Sequence, residues 1–244
     1  MNLLTIGNSF SCDATRYLHG IARADKKELE IINISIGGCS LERHYRNMLG
    51  DKRDYTLLCN GENTGFNVTL KEALLNRNWD VITLQQASPV SAKPESYQPY
   101  ANALADYIRL HAPKAKILIQ QTWAYEKDSD RLFKIAKYET PEAMLNDIVK
   151  AYDIMKADIQ ADGLIPSGEL FAQMLEKGID KIHRDTFHAS YGLGRYTLAL
   201  LWYRMLFGVS VAENTFRDFD VEISEEEIAL AKDCVDSFAP TLQK

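Results

Sequence analysis

Five short apolar runs, each followed by a stretch of helical spacing, constrain this chain more than any other feature. They cover residues 2–6, 29–36, 80–84, 116–120 and 164–166. Runs this short suit strands rather than helices. Apolar residues recur at helical spacing over 15–24, 70–75, 97–111, 142–161, 170–176 and 191–207. Pro113 lies just past the third of these and stops it. Strand alternating with helix predicts a parallel sheet with helices on both faces. The expected fold is therefore α/β, a three-layer α/β/α sandwich on a five-stranded parallel sheet. The less regular region before residue 67 ends in turn chemistry at residues 60–65, where a small hairpin fits. No linker, repeat or low-complexity stretch interrupts the chain, so one domain over residues 1–244 is expected.

Charge and cysteine content narrow the function classes. A formal net charge of −6 argues against nucleic acid or an anionic membrane as partner. Phosphate binding needs clustered Lys and Arg. The dense acidic run Glu225-Glu226-Glu227 follows Ser224 and reads as a surface helix start. Cys12, Cys39, Cys59 and Cys234 form no CxxC pair, so neither a metal nor a redox motif is present. No apolar stretch is long enough for a membrane span. Met1 leads straight into a short strand, without a basic segment and a long apolar one, which reads as a cytoplasmic chain. A secreted protein whose leader had been removed would read the same way.

In open α/β sheets the ligand crevice lies beyond the carboxyl ends of the strands. Polar residues gather there: Ser9 after the first run, Gly38 after the second, Gln85 after the third, Gln121 and Trp123 after the fourth. Ser9, in a tight strand-to-helix turn, is either a helix cap or an exposed nucleophile beside free backbone N–H groups. Asp185-Thr186-Phe187-His188 spaces a carboxylate so that one turn can bring it to a histidine Nδ1, leaving Nε2 free. Asp185 could instead cap the helix that follows. His183 is a competing base without an Asp three residues before it, and His44 could line the pocket. Gly37-Gly38 can turn tightly or bring a backbone N–H close to a ligand.

Taken in order, Gly7-Asn8-Ser9-Phe10-Ser11, Asn33-Ile34-Ser35-Ile36-Gly37-Gly38 and Asp185-Thr186-Phe187-His188 resemble blocks of the SGNH hydrolases, also called GDSL-type esterases. The resemblance spans nearly the whole chain and implies a flavodoxin-like sandwich. It implies Ser9 as nucleophile, His188 as base and Asp185 as its orienting carboxylate. The oxyanion donors would be Ser9, Gly38 and a residue of the third block. That block is absent, and Leu84-Gln85-Gln86-Ala87-Ser88 stands in its place. Gln85 is assigned the role, with Gln86 as alternative. Asn8 also replaces the usual Asp beside the nucleophile. Gln86, Trp123, Phe187 and His44 are the expected substrate contacts, with no metal or cofactor. The implied function is a serine esterase for short acyl esters, such as O-acetyl groups on carbohydrates. Its partner would be a small-molecule or carbohydrate ester. Rival readings are a longer-chain GDSL-type lipase or thioesterase, and a non-catalytic carbohydrate-binding protein on the same fold.

Overall fold

Alternation along the strands divides the core in two. The strands are β1 Asn2–Gly7, β2 Glu30–Ser35, β3 Tyr55–Cys59, β4 Glu62–Val68, β5 Val81–Leu84, β6 Lys116–Gln120 and β7 Gly163–Ile165. They form one sheet in the order β4-β3-β2-β1-β5-β6-β7. Successive side chains face opposite sides. Leu3, Ile31, Val81 and Leu118 thus enter one apolar cluster, and Leu4, Ile32, Ile82 and Ile117 the other. This computed structural model describes residues 1–242.

The five expected strands are β1, β2, β5, β6 and β7, and they pair in parallel. The sheet itself is not five parallel strands but seven in a mixed sheet. β3 runs antiparallel to β2, and β4 antiparallel to β3. The pair turns at Asn60-Gly61, a dipeptide suited to two-residue hairpins. Only that dipeptide is turn. Gly65 lies inside β4, which is mostly exposed and so carries no apolar alternation to betray it.

Nine helices are described, and they cover both faces. On one side lie α1 Ser9–Thr15, α2 Leu18–Ala24, α7 Ser167–Glu176, α8 Leu193–Phe207 and α9 Glu225–Asp236. On the other lie α3 Leu41–Leu49, α4 Leu70–Leu75, α5 Tyr100–His111 and α6 Pro141–Asp158. α8 is apolar all round because α1, α2 and α9 enclose it. α9 starts at Ser224 with a capping box closed by Glu227. The helix expected over 15–24 is α2, which begins three residues later at Leu18, and α1 before it is an additional helix. α1 escapes the apolar pattern because Ser9, Ser11, Asp13 and Thr15 are poor helix formers. Near the C-terminus Thr241 covers the short edge strand β7, its hydroxyl donating to Leu164 O at 2.8 Å. No described helix is long and apolar enough to cross a membrane.

Candidate active site

The chain leaves β1 through Gly7 and enters α1 at Ser9. Asn8 caps that helix, its Oδ1 accepting the Phe10 N–H at 3.0 Å. Its Nδ2 donates to Cys39 O at 3.1 Å and so ties the Ser9 turn to the loop after β2. Gly38 sits in that loop with φ +61°, exposed and with open space around it. The Ser9 and Gly38 N–H groups bond no protein acceptor among the described residues. A Cβ at Gly7 would lie 2.6 Å from both Gln85 Oε1 and Ser11 Oγ, so this close approach needs glycine.

The segment before α8 supplies the other half. Arg184 N donates to His188 O at 3.0 Å, closing a small loop. Within it Asp185 Oδ1 accepts the His188 N–H at 2.8 Å, and Asp185 Oδ2 lies 2.7 Å from His188 Nδ1. Nδ1 therefore carries the hydrogen. Nε2 is left as acceptor, 2.9 Å from Ser9 Oγ. Burial alone would raise the Asp185 carboxyl, but hydrogen bonds from the His188 side chain and backbone outweigh it and hold it low. Ser9, His188 and Asp185 thus form a continuous hydrogen-bonded array across 179 residues of sequence.

Two supports hold this loop. The first is the segment after β6. Trp123 Nε1 donates to Phe187 O at 2.7 Å, Glu126 N to Thr186 O at 2.9 Å, and the Ser129 and Thr186 hydroxyls meet at 2.7 Å. These bonds fix Thr186 at φ +70°. The second is Asp13, fully buried on α1. It accepts from Arg184 at 3.0 and 2.9 Å and from Arg195 at 2.9 Å. Burial pushes its carboxyl up despite both arginines. The helix that carries Ser9 is therefore pinned to the loop that carries His188.

Several expected substrate contacts lie elsewhere. Trp123 is fully buried, stacked on Phe10 at 3.9 Å, so it buttresses the site and offers no open face to a sugar. His44 is also fully buried, hydrogen-bonded to Tyr55 at 2.9 Å, and burial pushes its pKa down to about 3. Gln86 is structural: its Oε1 accepts from Leu41 N and Ala87 N, and its Nε2 donates to Ser96. Gln85 stands beside the Ser9 turn, and its Nε2 donates to Asn8 Oδ1 at 2.7 Å. One of its two amide hydrogens is thus engaged. Phe187 is half-buried against the His188 ring, 3.8 Å between centroids. His183 faces Ala124 O and Glu126, not Ser9. It lines a cavity of about 660 Å³ with Tyr125, Leu145, Phe171 and Leu175, and neither Ser9 nor His188 is among that cavity's lining residues. No group of three metal-ligating side chains gathers among the described residues.

The sequence gives no local hint of Asp13, Arg184, Arg195 or Arg131. Arg131 opens a π-helical turn, Arg131–Ala136, in which Lys137 N donates to Leu132 O. Its guanidinium lies 3.8 Å over the Phe187 ring.

Solved structures that share this fold include SGNH and GDSL-like hydrolases. The structure resembles a protein provisionally named an SGNH hydrolase from Slackia heliotrinireducens, at TM-score 0.61 and 22% identity over 84% of this chain and 98% of that one. It also resembles Axe2, an acetylxylan esterase from Geobacillus stearothermophilus, at TM-score 0.56 and 13% identity over 83% and 92%. At such identities the likeness shows the fold. The chain belongs to the DUF4886 family, a domain of unknown function, whose profile matches residues 2–236. A crystal structure of a DUF4886 protein from Bacteroides uniformis ATCC 8492 is similar at TM-score 0.88 and 32% identity, over 97% of this chain and 93% of that one. Among curated proteins none matches this sequence.

Proposed function

We propose that this chain is, over its whole length, one serine-esterase domain that hydrolyses short acyl esters. The observation that carries the reading is the array Ser9 Oγ–His188 Nε2 at 2.9 Å and His188 Nδ1–Asp185 at 2.7 Å. Ser9 Oγ attacks the ester carbonyl as its proton passes to His188 Nε2. Asp185 holds the ring and stabilises the imidazolium. The free N–H groups of Ser9 and Gly38 receive the oxyanion, with the second amide hydrogen of Gln85 as third donor. The alcohol leaves with the proton from His188. Water, activated by the same nitrogen, then releases the acid and restores Ser9. An O-acetyl group on a carbohydrate is the favoured substrate, by likeness to the acetylxylan esterase fold.

A longer-chain lipase or thioesterase reading has one observation in its favour. Phe133 and Ile135, on the π-helical turn beside Phe187, are 48% and 43% exposed. Hydrolysis of p-nitrophenyl acetate through octanoate separates the two. Turnover that falls with chain length supports the short-acyl reading, and turnover that rises supports the other. In either case Ser9→Ala should cost about 10⁴-fold or more in kcat. Full activity of Ser9→Ala would remove the mechanism.

A further inference from the structure

Arg131 differs from every other half-buried arginine in the described structure. Those arginines are Arg16, Arg131, Arg184, Arg195 and Arg204. Arg16 pairs with Glu62 and Asp220, Arg184 and Arg195 with Asp13, and Arg204 with Asp236. Arg131 has no carboxylate partner, and its guanidinium bonds no acceptor, among the described residues. A partly desolvated cation without a counter-charge is costly, and an aromatic face offsets only part of that cost.

The contact with the ring leaves the N–H groups of the guanidinium unbonded among the described residues. They form the fork that takes a carboxylate with two parallel hydrogen bonds. The fork is close to the Ser9–His188 array. Guanidinium to Phe187 ring and Phe187 ring to His188 ring are each 3.8 Å, so Arg131 is no more than twice that from the imidazole. The π-helical turn that presents it is a rare element, frequently met at functional sites.

We infer that Arg131 is a specificity residue of the proposed esterase, selecting esters that carry a carboxylate a few bonds from the scissile carbonyl. An O-acylated acidic sugar has this chemistry, with the anion on the alcohol side. A dicarboxylic half-ester has it on the acyl side. The inference rests on the hydrolase reading, so its test separates the two.

Two substrate pairs serve: 4-acetoxybenzoate against its methyl ester, and p-nitrophenyl hemisuccinate against p-nitrophenyl butyrate. The readout is the ratio of kcat/KM for the anionic and neutral member of each pair. Wild type should favour the anion in one pair, which tells alcohol side from acyl side. Arg131→Ala should lower that ratio roughly tenfold to a hundredfold, the range of a charged hydrogen bond. Arg131→Lys should restore part of it, and added salt should shrink it in wild type only. Equal ratios in wild type and Arg131→Ala, with turnover still dependent on Ser9, would overturn the role of Arg131 and leave the hydrolase reading standing. A second readout does not need turnover: thermal stabilisation by 4-hydroxybenzoate or succinate should be present in wild type and absent in Arg131→Ala. If no ester is turned over yet this difference appears, the hydrolase reading fails while the anion site stands. If stabilisation is equal or absent in both proteins and no ester is turned over, both fall.

Discussion

Asn8 and Gln85 work as one unit. Asn8 Oδ1 accepts from Phe10 N and Gln85 Nε2 together, so neither amide can turn without breaking the other's bond. Gln85→Leu keeps much of the volume but removes the amide. It should cut kcat about a hundredfold if the second hydrogen meets the oxyanion, with KM little changed. A rise in KM alone would make Gln85 a scaffold for Asn8 and no more. Ser9, Asp185 and His188, which the structure brings together, are the proposed site residues most legible in the sequence, because each stands in a short pattern of its own. Trp123, Gln86 and His44 misled for a shared reason. Position after a strand brings a side chain near the crevice but does not say which way it points. Trp123 turns back onto Phe10, Gln86 turns to Leu41 and Ser96, and His44 turns to Tyr55.

At the scale of elements, the decisive contact joins α1 to the loop before α8. Asp13 and Arg184 meet across 171 positions, and no local pattern could announce that pairing. Removing one partner of a buried ion pair leaves the other charges uncompensated. Asp13→Ala should therefore cost about 3–5 kcal/mol of stability, checked by urea denaturation. Arg195→Lys, which keeps the charge but not the fork, should cost less and should leave the fold intact. A stability within error of wild type for Asp13→Ala would mean that the two arginines find other partners. The alternation of strands and helices was legible, and the turn residues marked the hairpin at 60–61, but nothing in the pattern marked β4 as a strand of the sheet. β1, β2, β5, β6 and β7 lie between two covered faces and must be apolar, whereas β4 is open to water and carries no such constraint.

Across the whole molecule, Asp220, in the segment between α8 and α9, ties that segment to the α1–α2 junction and to α8. It accepts from Arg16 at 2.6 and 2.9 Å and from Arg195 at 2.9 Å. Hydrogen bonding to Arg16 leads in holding its pKa down to about 2, against some desolvation. A carboxylate lowered in this way stabilises the fold fully above its unfolded value near 4. That contribution is lost as the pH falls through about 2. Asp220→Asn should thus lower Tm at pH 7, and the gap to wild type should narrow as the pH is taken down. An unchanged gap at low pH would place the stabilisation elsewhere. One consequence concerns synthesis on the ribosome. Ser9 emerges with the first strand, and His188 follows only after 179 further residues. Every shorter nascent chain holds the hydroxyl without its base. Under the proposed mechanism, esterase activity therefore appears only after the segment that follows the last strand, β7, has been made and docked.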